Sequence, residues 1–115
     1  MANAMSELDR LIEAVEAGTA TTMLFEDALG AAIPSADGWA ELAYHGSLDA
    51  AKALHEGLLG KGCHFNLMED EDAGGYHAEV YLNDWRHGGS SDPARAWLLT
   101  ILRAYRDSNQ AEGAR

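Results

Sequence analysis

Apolar residues recur at helical spacing near the start of the chain. Leu8, Leu11, Ile12 and Val15 are three or four positions apart, which places them on one face of a helix. Before and after this stripe stand Ser6, suited to cap a helix, and Gly18, suited to end one in the left-handed conformation. The pattern therefore predicts a first helix over residues 6–18.

A second, shorter helix is predicted to follow. Thr21 or Thr22 can supply its cap, and Gly30 and Pro34 mark its end. Between residues 33 and 46 the apolar positions become too sparse to assign an element.

Two further helix starts bracket the centre of the chain. Ser47 is placed to cap a helix that stops near Gly60, and Asp92 followed by Pro93 is a strong helix-initiation signal. The face predicted to be buried on the first of these helices consists of Leu48, Ala51, Leu54, His55 and Leu58. The corresponding stripe on the second consists of Ala94, Trp97, Leu98, Ile101, Leu102 and Tyr105.

From Cys63 the period changes from helical spacing to two, which predicts a β-hairpin with its loop at residues 69–75. Matching the apolar faces selects an antiparallel register with Leu67 opposite Ala78, Phe65 opposite Val80 and Cys63 opposite Leu82. We expect Phe65, Leu67, Val80 and Leu82 to lie beneath the helix that begins at Pro93. Residues 83–91 are predicted to form an exposed loop.

These elements predict one α+β domain over residues 6–107, a two- or three-layer sandwich of a small antiparallel β-hairpin or sheet with about four helices. Residues 1–5 are predicted to be a tag or disordered start, and residues 108–115 a disordered tail. A chain of 115 residues has no room for a second domain.

Charge is the strongest compositional signal. The chain carries 19 acidic and 8 basic residues, a net charge of −11, and most of the acids precede residue 85. Such a surface repels phosphate backbones, so direct binding of nucleic acid is not expected. The sequence has neither a membrane-spanning apolar run nor a signal peptide, which predicts a protein of the host cytoplasm with no membrane partner.

No catalytic, cofactor or metal site is predicted. Cys63 is alone and is expected to be a reduced, buried thiol. His64 and His77 share a face of the hairpin with Glu79, but they lie on a diagonal and lack a second ligand pair, so ordinary surface histidines are the expectation.

Two hypotheses for a protein-contact surface follow from exposed aromatic residues. The first patch is Trp85, Arg86 and His87, because a tryptophan beside an arginine is typical of binding hot spots. The second is the polar face of the hairpin, with His64, Met68, His77 and Tyr81. An alternative surface is an acidic decoy formed by Glu69, Asp70, Glu71 and Asp72.

The chain resembles the phage ABA sandwich domain family over roughly residues 8–105. The matching segments are the opening helix, Ala28-Leu29-Gly30, the run from Tyr44 through Gly46-Ser47 to Ala51, the hairpin, and Asp92-Pro93-Ala94-Arg95-Ala96-Trp97 with Leu102-Arg103-Ala104. The resemblance implies an α/β sandwich of phage or prophage origin, and it supplies no site residues.

The expected function is therefore that of a non-enzymatic phage or prophage accessory protein that contacts a phage or host protein, one with a basic surface, or a second copy of itself. One alternative is an acidic DNA-mimic inhibitor of anti-CRISPR or anti-restriction type. Another, less favoured, is a small metal-dependent enzyme using His64, His77 and Glu79.

Overall fold

The computed structural model describes residues 6–72 and 74–108 and the backbone of residues 109–113. The predicted start at residues 1–5 lies outside the described residues, as do 114 and 115. The described elements are α1 (Glu7–Ala17), α2 (Thr22–Leu29), α3 (Ala36–Tyr44), α4 (Leu48–Leu59), β1 (His64–Asp70), β2 (Gly75–Tyr81), β3 (Trp85–Ser90) and α5 (Pro93–Gly113). The α+β class is confirmed, with α3 and β3 added to the predicted elements.

Side-chain caps begin the helices where the sequence indicates. The hydroxyl of Ser6 accepts a hydrogen bond from the Asp9 amide at 3.1 Å, and that of Ser47 accepts from the Ala50 amide at 3.1 Å. Asp92 caps α5 in the same way. At the end of α1, Gly18 has φ 78°, the left-handed conformation predicted for it.

Helix α3 lies in the stretch where the sequence assigned nothing. Its first turn lacks a side-chain cap, and its buried face is made of Ala36, Ala40 and Ala43, which are fully buried. Small residues allow helices to approach closely, but they give a weak periodic signal. The larger Leu42 on this helix is 57% exposed, which obscures the pattern further.

The sheet is antiparallel with strand order β1-β2-β3. Phe65 pairs with Val80 and Leu67 with Ala78, which confirms the register predicted for the hairpin. The ladder of paired residues begins at His64, one residue after the predicted pair of Cys63 with Leu82.

The prediction of a loop over residues 83–91 is wrong for 85–90, which form the edge strand β3. Two adjacent glycines argued against a strand, because glycine is depleted in sheets. The structure gives Gly88 a different role: a Cβ there would lie 2.6 Å from Thr100 Oγ1 and 3.1 Å from the carbonyl oxygen of Ala96. Glycine at this position therefore permits β3 to pack directly on α5.

Helix α5 lies between the sheet and the other helices. It packs against β2 and β3 and also contacts α1, α3 and α4. Its residues Leu98, Ile101 and Leu102 are fully buried, as predicted. The helical backbone continues through residue 108, where the sequence predicted a disordered tail to begin, as far as Gly113.

Leu48 and Phe65 are more exposed than predicted. Leu48 is 43% exposed although it was placed on the buried face of α4, because it is the first residue of that helix. Phe65 stacks on Trp97 with ring centroids 4.3 Å apart, yet 42% of it remains exposed because β1 is an edge strand. Val80, on the central strand, is fully buried, whereas Leu67 and Leu82 are half-buried.

No helix among the described residues combines the length and the apolar character that crossing a bilayer requires.

Candidate functional site

The side of the sheet that faces away from α5 is not covered by any helix in the described part of the chain. Strand alternation places every second residue on this side. We call this surface the outer face, and it consists of His64, Asn66 and Met68 from β1, His77, Glu79 and Tyr81 from β2, and Trp85 and His87 from β3.

The strand register arranges the outer face in three rows that run across the sheet. His64, Tyr81 and Trp85 form the first row, Asn66, Glu79 and His87 the second, and Met68, His77 and Gly89 the third. Residues of both predicted contact patches therefore lie on one continuous surface, although the sequence predicts them as two separate patches.

Aromatic and thioether side chains stand at opposite ends of the outer face. Tyr81 and Trp85 make an edge-to-face contact with ring centroids 5.2 Å apart, and they are 43% and 42% exposed. Met68, in the third row, is 41% exposed. Tyrosine, tryptophan and methionine are enriched at protein interfaces relative to the rest of the protein surface.

Arg86 does not join Trp85 and His87. Strand alternation sends it to the inner side, where its Nε donates to Asp107 Oδ2 at 2.6 Å. Burial by itself would raise the pKa of Asp107, but hydrogen bonds from Arg106 and Arg86, together with their positive charges, outweigh burial and hold the pKa below its usual value. Arg86 therefore fastens β3 to α5, and the predicted patch of three residues is split between the two sides of the sheet.

Three possible metal ligands converge in the middle of the outer face. His77 Nε2 lies 3.2 Å from His87 Nδ1, and Glu79 Oε2 lies 3.7 Å and 3.4 Å from these two nitrogens. We call His77, Glu79 and His87 the His-Glu-His cluster. The sequence pattern groups His77 with Glu79 but not with His87, because residue 87 falls in the segment predicted to be a loop.

His64, the other histidine grouped with them in the sequence, lies outside the cluster. It pairs with Tyr81 at the far end of the face, whereas His77 pairs with Met68. The signal that could have identified His87 is its position: continuing the alternation of β2 through a short turn places residue 87 directly opposite Glu79.

Neighbouring polar groups orient the cluster. Asn66 Nδ2 donates to Glu79 Oε1 at 3.4 Å, which leaves Oε2 directed at the two imidazoles. Arg103 Nη1 donates to the carbonyl oxygen of His87 at 2.7 Å, and Arg103 also pairs with Glu16 at 3.0 Å. Arg103, which belongs to α5, thus fixes the position of the β3 backbone at His87.

The acidic residues at the turn between β1 and β2 extend the outer face beyond its third row. A shallow open depression is lined by Met68 and His77 together with Glu69, Asp70, Glu71 and Asp72. Glu69, Glu71 and Asp72 are exposed and Asp70 is half-buried. Negative charge therefore borders the Met68 end of the surface.

Cys63 lies just before β1 and is half-buried, whereas the sequence predicts a buried thiol. Its thiol donates to the carbonyl oxygen of Tyr81 at 3.0 Å. Burial raises the pKa of the Cys63 thiol, which favours the neutral form over the nucleophilic thiolate.

In comparisons with protein-family models, with curated proteins and with solved structures, the chain has no match. The resemblance to the phage ABA sandwich family stays a prediction that depends on the short segments quoted above.

Proposed function

We propose that this chain is a non-enzymatic protein that acts by binding another protein through its outer face. The observation that carries the proposal is the exposure of Met68, Tyr81 and Trp85, each more than 40% accessible, on a side of the sheet that none of the described helices covers. Tyrosine and tryptophan are enriched among the residues that dominate binding energy.

The outer face is also preorganised for binding. Strand β2 is paired on both edges, and Tyr81 and Trp85 already contact one another before any partner arrives. Side chains held in place on a sheet lose less conformational entropy on binding than those of a loop do. The outer face should therefore need little rearrangement to bind a partner.

Charge defines the partner's chemistry. The chain has a net charge of −11, and exposed acids lie beside Met68. We infer a partner that presents an apolar pocket for the aromatic residues and lysine or arginine side chains around it. A second copy of this chain would bring another strongly negative surface, so a homodimer is disfavoured relative to a basic partner.

The phage or prophage origin implied by the family resemblance belongs to the same proposal. If the gene lies among phage structural genes, an assembly or packaging accessory is favoured, whereas a cluster of small early genes favours an inhibitor of host defence.

The test begins with capture of binding proteins from host lysate by the full chain and continues with a purified partner. We expect the double variant Tyr81→Ala with Trp85→Ala to bind that partner at least tenfold more weakly in calorimetry. The matched control is Met23→Ala, which removes a side chain that is 68% exposed on α2. Equal affinity of the wild type and the double variant would overturn the proposal.

The same partner distinguishes the decoy alternative. Its motivating observation is the group of exposed acids at the hairpin loop. A DNA mimic requires the combined change Glu69→Gln, Asp70→Asn, Glu71→Gln and Asp72→Asn to abolish binding while the aromatic double variant retains it. Our proposal predicts the reverse ranking, with the charge variant mainly slowing association.

A further inference from the structure

We propose that the His-Glu-His cluster binds one Zn²⁺ ion. Two imidazole nitrogens and one carboxylate oxygen are a common ligand set for this metal. His77 Nε2, His87 Nδ1 and Glu79 Oε2 already lie 3.2 to 3.7 Å from one another. This inference does not depend on the proposed protein contact.

The distances match tetrahedral coordination. Zinc bonds of about 2.0–2.1 Å at tetrahedral angles separate neighbouring ligand atoms by about 3.3–3.4 Å. The three observed separations, 3.2, 3.4 and 3.7 Å, lie around that value. An ion about 2.1 Å from all three atoms lies out of their plane, as tetrahedral coordination requires, and it fits with little movement of the side chains.

The backbone fixes two of the ligands relative to each other. Glu79 and His87 are direct cross-strand partners, and His77 reaches His87 diagonally across the β2–β3 ladder. The residue opposite His77 is Gly89, which has no side chain to lie between the two imidazoles. Asn66 then holds the second carboxylate oxygen of Glu79 away from the ion position.

The fourth coordination position faces solvent. The side chains of His77, Glu79 and His87 are 33%, 26% and 52% exposed, so water or a ligand from another molecule can reach the ion. Nitrogen donors with a single carboxylate favour zinc and other late first-row metals over Mg²⁺ and Ca²⁺, which prefer all-oxygen sites. The net charge of −11 attracts a dication to this surface.

The test is calorimetric titration of zinc chloride into the chelator-treated full chain. We expect one ion per chain with micromolar or tighter affinity, weakened at least tenfold in His77→Gln, His87→Gln and Glu79→Gln. The matched control is His64→Ala, which removes a histidine from the same face but outside the cluster and should leave affinity unchanged. An excess of magnesium should not displace the zinc.

Zinc should also raise the melting temperature of the wild type and of His64→Ala, but not that of His87→Gln, because a ligand that binds the folded state stabilises it. Circular dichroism establishes that each variant is folded before titration. The proposal is overturned if the wild type takes up no stoichiometric zinc, or if His64→Ala weakens binding as much as the cluster variants do.

Discussion

The indole N–H of Trp97 donates a hydrogen bond to Nδ1 of His55 across a distance of 3.2 Å, and both residues are buried. Because an indole nitrogen can only donate, His55 Nδ1 accepts and its proton lies on Nε2. That nitrogen is 2.9 Å from the carbonyl oxygen of Cys63, to which it donates. A single neutral imidazole thus joins α4, α5 and the start of the sheet.

Replacing Trp97 with phenylalanine should destabilise the fold by about 2–3 kcal/mol, since it leaves a buried imidazole nitrogen without its donor and reduces the stacking surface for Phe65. Urea unfolding followed by circular dichroism measures the change. Trp39→Phe, at a half-buried position on α3, is the control and should cost about 1 kcal/mol or less. Equal losses in the two variants would contradict the assigned role of the His55 bond.

Gly88→Ala should destabilise the protein by about 2 kcal/mol or more, because the new methyl group would overlap Thr100 Oγ1 and the Ala96 carbonyl oxygen and push β3 away from α5. Its neighbour provides a matched control. Among the described residues, a Cβ at Gly89 would meet only the carbonyl oxygen of Tyr76, at 3.6 Å, so Gly89→Ala should change stability by less than about 0.5 kcal/mol. If both variants melt at the same temperature, the direct contact between β3 and α5 is refuted.

The interactions of Asp107 with Arg86 and Arg106 should make the stability of the protein decrease in acid. Its pKa is lower in the folded state than in the unfolded state, so its contribution is complete above the unfolded pKa and is lost as the pH falls through the folded one. Asp107→Asn should therefore cost about 1 kcal/mol at pH 7 and progressively less below pH 4. Chemical unfolding of both proteins at several pH values measures this difference. A constant difference from pH 7 to pH 2 would count against the bridge to Arg86 and Arg106.

The Cys63 thiol should react slowly with a disulfide reagent at neutral pH. Its pKa is raised by burial and its hydrogen points at the Tyr81 carbonyl oxygen, so little thiolate is present. Ellman's reagent should modify the native chain at least tenfold more slowly than the chain unfolded in guanidinium. Comparable rates would indicate an activated cysteine instead.

Side-chain chemistry explains what the sequence could predict and what it could not. Capping residues such as Ser47 and Asp92 act locally, so their helices begin where predicted. The hairpin register follows from matching apolar faces. Strand β3 was missed because Gly88 is required by a contact with α5, more than ten residues away at Thr100, which no local pattern contains.

For the same reason, only part of the candidate site could be predicted from the sequence. His77 and Glu79 alternate along one strand, so the sequence placed them on one face. His87 joins them only through strand pairing, and its recognition depended on β3. Arg86 shows the converse: adjacent in sequence to Trp85 and His87, it turns inward to Asp107 because neighbouring strand residues face opposite sides.

Photocrosslinking on the outer face tests the proposed contact surface most directly. A photoreactive phenylalanine analogue at position 81 is compared with the same analogue at position 42 of α3, a position that is also exposed. Irradiation in host lysate should give one discrete adduct from position 81 and none from position 42. Adding an excess of unlabelled wild-type protein should reduce the yield of the adduct from position 81. Adducts of equal yield from both positions, or from position 42 alone, would contradict a docking surface on the open side of the sheet.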